Sequence, residues 1–266
     1  MTTHQETSAA GQSLRLDGRV AVVLGGTDGI GRALSLGLAD AGADVVASGR
    51  RLELVERAAR DIEAKGRRSL RIASDVKDRY SIERLDAEVA TVLGKVDILV
   101  NCAGKIQRRP TLEVTEDQWT DVLDTNLTGT LRACQIFGRR MIDREYGRII
   151  NIASLNSFVS FFEVASYAAS KAATAALTRS LAVEWGSRGV CVNAIAPGVF
   201  RTALNQTLLD ETPRGRELLL RTPMKRFGRV EELVGAAVFL ASEAASFVNG
   251  QVVAVDGGFL ASGVNQ

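Results

Sequence analysis

Short apolar runs alternate along the chain with longer amphipathic stretches, beginning with Arg19-Val-Ala-Val-Val-Leu24 and then Gly29–Ala41. Apolar runs bounded by turn residues read as buried strands, and stretches with helical apolar spacing read as helices packed against them. Strands are expected at Arg19–Leu24, Asp44–Ser48, Ser69–Ser74, Val96–Asn101, Gly147–Ala153, Val190–Ala196 and Gln251–Val255, about seven in all. Helices are expected at Gly29–Ala41, Leu52–Lys65, Ser81–Leu93, Glu116–Arg144, Ser166–Ser187 and Val230–Ser242. Their strict alternation implies right-handed crossovers between parallel strands, and the Val/Ile/Leu-rich strands imply a sheet covered on both faces.

No Pro/Ser-rich linker and no internal repeat divides the chain. It is expected to be α/β, a single doubly wound Rossmann-type domain over residues 15–266 behind a polar tail at 1–14. One segment breaks the rhythm. Residues 198–228 are polar, carry Pro213 and Pro223, and fit a lid or substrate loop.

Composition narrows the chemistry. The 266 residues are 46% hydrophobic and 24% charged, as in a soluble globular protein. A net charge of +2, from 33 basic and 31 acidic residues without a long run of one sign, gives no footprint for nucleic acid. Cys102, Cys134 and Cys191 are too few and too widely spaced for a disulfide framework or a CxxC motif. With no signal-like start and no long apolar span, the protein is expected in the cytoplasm and off the membrane. The only histidine, His4, sits in the polar tail, so histidine-based nucleophilic catalysis and a histidine-rich metal site are not expected.

The first strand runs into Gly25-Gly-Thr-Asp-Gly-Ile-Gly31. Glycines at a strand-to-helix turn let backbone N–H groups approach a pyrophosphate at the helix N-terminus. The second strand ends in Ser48-Gly49-Arg50-Arg51, where a carboxylate for the ribose hydroxyls would mark NAD. A guanidinium there suits a 2′-phosphate, so NADP(H) is favoured, although Asp28 in the glycine loop pulls against it and NAD(H) stays open. On the helix from Ser166, Tyr167 and Lys171 stand one turn apart on one face. A phenol titrates near 10, so it becomes a base near neutral pH only if an ammonium or an oxidised nicotinamide stabilises its phenolate. Ser154 ends the Ile149–Ala153 run, beyond the carboxyl end of a strand, where ligands bind in open α/β sheets.

With Asp75-Val76, Asn101-Cys-Ala-Gly104, Asn126 and Pro197-Gly198 before Thr202, these motifs fall in one order. The chain resembles the short-chain dehydrogenase/reductase family over about residues 15–260. That resemblance implies a nicotinamide-dependent oxidoreductase in which Tyr167 is the acid/base. Lys171 would hold the nicotinamide ribose and lower the tyrosine pKa, Ser154 would orient the substrate oxygen, and Asn126 would hold a relay water. It implies cofactor contacts at Gly25, Thr27, Asp28, Gly29, Ile30, Arg50, Asp75, Val76, Asn101, Ala103, Gly104, Pro197, Gly198 and Thr202, with no metal. Two residues depart from the family pattern: Leu24, where a threonine is usual, and Cys102, where a second asparagine is usual.

Lys105–Arg109, Ile150–Phe158, Arg221–Gly228 and Val248–Phe259 look most like sugar-acid oxidoreductases of the gluconate 5-dehydrogenase and 2-deoxy-gluconate 3-dehydrogenase type. A small sugar acid or keto acid is therefore expected, with Arg108, Arg109 and Arg201 as candidate carboxylate partners. A 3-oxoacyl carrier-protein reductase shares every catalytic motif and stays open, as does a dinucleotide-binding protein without chemistry. The family resemblance further implies a homotetramer.

Overall fold

The computed structural model describes residues 14–202 and 206–264. Residues 1–13, with His4 and nearly all of the expected tail, lie outside the described residues. The sheet is built from β1 (Val20–Leu24), β2 (Asp44–Ser48), β3 (Ile98–Asn101), β4 (Gly147–Ile152), β5 (Val190–Pro197) and β6 (Val252–Val255). Their order is β2-β1-β3-β4-β5-β6, and every neighbouring pair is parallel.

Side chains alternate across a strand, so a continuous apolar run feeds two cores at once. Ala21 and Val23 of β1, with Val45, Ile98, Val100, Ile150 and Ile195, pack against α1 (Gly29–Asp40) and α9 (Val234–Ala241). Val20, Val22 and Leu24, with Leu99, Ile149 and Val192, face α3 (Arg79–Leu93), α5 (Gly129–Asp143) and α6 (Ala165–Trp185). Along α2 (Leu52–Glu63) the buried residues Val55, Ala58, Ala59 and Ile62 recur at helical spacing. Caps fix where the helices start: Asp28 accepts from the Gly29 N–H at 2.8 Å, and Thr115 with Gln118 closes a capping box before α4 (Glu116–Leu123).

The chain moves from β1 out to β2 and returns to β3 on the other side of β1. That reversal opens a crevice above the carboxyl ends of β1 and β3. It is the feature of the fold that positions the site.

Two expectations need correction, and a third segment gains detail. The described sheet has six strands, not about seven: the run at Ser69–Ser74 lies along β2 without forming a ladder. Backbone bonds tie only its ends, Val45 N–H to the Arg68 carbonyl and Ser74 N–H to the Gly49 carbonyl, while the Ser48 hydroxyl takes the Ile72 carbonyl at 2.6 Å. The helix expected over Glu116–Arg144 is α4 and α5 joined by a π turn at Asp124–Thr128. The 198–228 segment carries two helices, α7 (Gln206–Glu211) and α8 (Pro213–Leu220), the second capped by Thr212 and started by proline.

Gly37 of α1 lets that helix seat on α9, because a Cβ there would stand 2.2 Å from Val234 Cγ1. Gly37→Ala should therefore lower stability by about 1–3 kcal/mol despite its better helix propensity, through overpacking. The double variant with Val234→Ala should recover part of the loss, read from denaturant midpoints at fixed protein concentration.

Candidate active site

The glycine loop bends over the end of β1. Gly25 has φ +75° and packs so closely on the next loop that a Cβ would meet the Ala103 nitrogen at 2.6 Å. A Cβ on Gly31 would strike the Gly25 carbonyl oxygen at 2.0 Å. The loop is thus pulled flat against the first turn of α1, with Gly29 at φ +49° beside the Asp28 cap. Only residues without Cβ permit this approach, and the free N–H groups of a helix start suit a pyrophosphate. Ile30 turns inward and packs against the core.

The competition between Arg50 and Asp28 has a geometric answer. Asp28 spends one carboxylate oxygen on the Gly29 N–H and faces the Arg51 guanidinium with the other at 3.4 Å. Arg50 is exposed and has no ion-pair or hydrogen-bond partner among the described residues. Thr27 lies against Gly49, a Cβ on which would stand 3.1 Å from the threonine hydroxyl. The residues present fit a dinucleotide with a 2′-phosphate: a glycine cradle, a free guanidinium, and a second one, Arg51, that screens the opposing carboxylate.

Asp75 caps the turn that follows it, accepting from the Lys77 N–H at 3.0 Å, and Val76 packs against Gly129 at the start of α5. Asn101 points into the sheet, where its amide donates to Asn151 Oδ1 at 2.9 Å and to the Cys134 sulfur at 3.3 Å. It thus offers the crevice its backbone. Ala103 and Gly104 line the loop beyond β3, with the Gly104 Cα side facing Asn126 Oδ1 and Lys171 Nζ. Beyond β5, Gly198 passes so close to Asp256 that a Cβ would stand 2.5 Å from its Cα, and the Thr202 carbonyl accepts from the Gln206 N–H as α7 begins.

Ser154, Tyr167, Lys171 and Asn126 come together at the carboxyl ends of β3 and β4. Ser154 stands just past β4 and caps a short 3-10 turn through the Asn156 N–H. Tyr167 lies in the first turn of α6, with its phenol close enough to the Ser154 hydroxyl for the serine to favour the phenolate. Lys171, 6% exposed, donates to the Ile152 carbonyl at 2.6 Å and holds its ammonium 5.7 Å from the centre of the Tyr167 ring. Asn126 sits on the π turn, and its side chain is fully used. Its oxygen accepts from the Lys105 N–H at 2.8 Å, and its nitrogen donates to the Lys105 carbonyl at 2.9 Å and to Ser170 Oγ at 3.0 Å.

A buried line of polar side chains supports this group. From Asn101, the Asn151 amide donates to Thr178 at 2.9 Å; Thr178 and Thr174 each donate to the carbonyl one turn back on α6, and Ser170 donates to the Tyr167 carbonyl at 2.7 Å. Nothing in the sequence spacing marked Asn151 or Thr178.

Burial sets the protonation states. It pushes the Tyr167 phenol above its ordinary value, with the Ser154 hydroxyl pulling the other way. Burial also brings the Lys171 ammonium down to about 8 and the neighbouring Cys102 thiol up to about 11, which leaves Cys102 a neutral thiol near pH 7.

The three arginines expected to meet a substrate are each engaged. Arg108 pairs with Glu163 at 3.1 Å, Arg109 with Glu113 at 3.4 Å, and Arg201 with Asp210. A fourth, Arg214 on α8, donates to the Phe162 carbonyl at 2.9 Å. It escaped the sequence reading because one arginine in a polar stretch carries no pattern.

A family model described as Enoyl-(Acyl carrier protein) reductase matches residues 25–260. The chain is 41% identical to the gluconate 5-dehydrogenase of Gluconobacter oxydans over 93% of this chain and 96% of that one. It is 39% identical to the D-threitol dehydrogenase of Mycolicibacterium smegmatis, covering 97% and 99%. A crystal structure of a gluconate 5-dehydrogenase from Burkholderia cenocepacia, in complex with NADP and tartrate, superimposes with a TM-score of 0.91 at 39% identity, covering 96% of this chain and 100% of that one.

The lowered Lys171 pKa has a consequence for stability. Between about pH 8 and the ordinary lysine value of 10.5, the unfolded chain holds a proton that the folded chain has released, so folding becomes more favourable as pH rises. The cost is present in full below about pH 8. Relative to Lys171→Met, the cofactor-free wild type should gain on the order of 2–3 kcal/mol between pH 7 and pH 10.5 in denaturant unfolding. A difference independent of pH would show that Lys171 titrates normally.

Proposed function

The chain belongs to the short-chain dehydrogenase/reductase family, and from that premise we propose that it moves a hydride between NADP(H) and the carbonyl or hydroxyl carbon of a small sugar acid or keto acid. The observation that carries the chemistry is the Tyr167 phenol beside the Ser154 hydroxyl, next to the buried ammonium of Lys171. Bound nicotinamide supplies or accepts the hydride. In the reducing direction, the Ser154 hydroxyl donates a hydrogen bond to the substrate oxygen, and Tyr167 delivers its phenolic proton to that oxygen as negative charge builds there. In the oxidising direction, the phenolate takes the alcohol proton. Lys171, whose ammonium donates to the Ile152 carbonyl, would hold the ribose hydroxyls of the bound cofactor and lend positive charge. The relay water expected of Asn126 would share its backbone carbonyl with the Thr130 hydroxyl, which donates to it at 2.8 Å, since the side chain is committed to Lys105 and Ser170.

Residues 15–266 act in this reading as one catalytic unit, with 198–228 as its substrate loop. The cofactor is NADP(H), supported by the free Arg50, by Arg51 screening Asp28, and by the NADP in the Burkholderia cenocepacia structure. The sugar-acid class is supported by the Gluconobacter oxydans relative; Arg108, Arg109 and Arg201, each paired with an acidic side chain, are its candidate carboxylate partners. Exposed Ile106, Phe158, Phe162 and Met224 favour the second reading, an acyl thioester reductase. Assembly as a homotetramer in the cytoplasm completes the proposal. It is supported by the open outer edge of β6 and the exposed Val183 on α6, and no helix among the described residues is long and apolar enough to cross a membrane.

A panel of keto-sugar acids, neutral ketoses and acetoacetyl thioester, assayed with NADPH and NADH, tests the substrate class. The sugar acids should give the highest kcat/KM; a faster thioester would replace this reading with the second. For the cofactor, Arg50→Ala should raise KM for NADPH at least ~10-fold while changing KM for NADH by less than about 3-fold, as expected for a lost charged hydrogen bond.

A further inference from the structure

Three separate segments converge on one carboxylate just ahead of the helix that carries Tyr167. Arg108, from the loop after β3, reaches Glu163 Oε2 at 3.1 Å, and the neighbouring Arg109 N–H donates to the Glu163 carbonyl at 2.8 Å. From the substrate loop, Arg214 in the first turn of α8 donates to the carbonyl of Phe162, the residue before Glu163. Glu163 itself holds φ at +64°, a left-handed conformation that a residue with a Cβ adopts at a cost.

Among the described residues Glu163 is the one carboxylate paired with Arg108, and Arg214 stands in no ion pair. Burial lowers the Arg214 pKa, and the Arg108 charge does so too, while Glu163 and Glu217 favour its charged form from a distance. Val164 follows Glu163 and precedes α6, so the cluster stands about one helical turn from the reacting phenol. A planar guanidinium with spare donors beside a second one is a receptor for a carboxylate.

We propose that Arg214 and Arg108 receive the substrate carboxylate, and that Glu163 fills that place as an internal counter-ion which the substrate displaces. The inference rests on the sugar-acid reading above and deepens it. Because Arg214 rides on α8, an acid bound there draws the substrate loop toward the Ser154 and Tyr167 oxygens. A neutral polyol leaves Glu163 in place and makes no such link.

The test compares kcat/KM for 5-keto-D-gluconate with that for D-fructose, a neutral ketose of the same chain length, in the full-length protein. Arg214→Met should lower the acid-to-neutral ratio at least ~10-fold, the scale of a charged hydrogen bond, with partial recovery in Arg214→Lys. Glu163→Gln should raise the ratio about 3-fold, as for loss of a partly exposed competing pair. Arg216→Met, an exposed arginine on the same helix, should keep the wild-type ratio. If Arg214→Met lowers both activities equally, or Glu163→Gln lowers the ratio, the clamp is wrong while the sugar-acid reading stands. If the wild type shows no preference for the acid, both fall together.

Discussion

The line of buried hydrogen bonds from Asn101 through Asn151, Thr178, Thr174 and Ser170 to the Tyr167 carbonyl is the constraint on which the site depends. A buried amide costs free energy unless it is paired, so the Asn151 amide, held by Asn101 on one side and Thr178 on the other, ties the sheet to α6. The register that places Asn101 opposite Asn151 therefore also fixes the height of α6 on the sheet. With α6 fixed, Tyr167 meets Ser154 and Lys171 meets the Ile152 carbonyl without further adjustment. The π turn serves the same end from the other side, since it places Asn126 where one amide can hold both Lys105 and Ser170.

Catalytic preparation and stability oppose each other here. A neutral side chain at position 171 would remove a desolvation cost, and a freely solvated phenol at 167 would titrate lower than the buried one. Both groups are instead held in a dry place whose missing positive charge an oxidised nicotinamide would restore. Burial raises the phenol pKa, and an oxidised nicotinamide bound beside it would lower it.

Much of this was legible in the residues. The glycine loop, Ser154, Tyr167 and Lys171 carry local signals, because a turn without Cβ atoms and two side chains one helical turn apart are properties of short segments. Ser69–Ser74 has the apolar spacing of a strand, yet a ladder needs regular backbone pairing, and its Ile72 carbonyl accepts from the Ser48 side chain. The break at Asn126 is silent in an amphipathic pattern because a π turn shifts the helix face without interrupting it. Pairings across the fold were equally hidden: charge alone could not show that Arg108 meets Glu163, that Arg51 screens Asp28, or that Arg214 reaches the Phe162 carbonyl.

The central claim is that the Tyr167 hydroxyl supplies the proton. Single-turnover reduction of a keto acid by NADPH-loaded Tyr167→Phe, beside a fluorescence titration of cofactor binding, tests it most directly. The ring and its packing remain, so NADPH affinity should stay close to wild type while the chemical step slows at least ~100-fold, the contribution of a positioned acid. A near wild-type rate in that variant, with cofactor bound, would contradict the account.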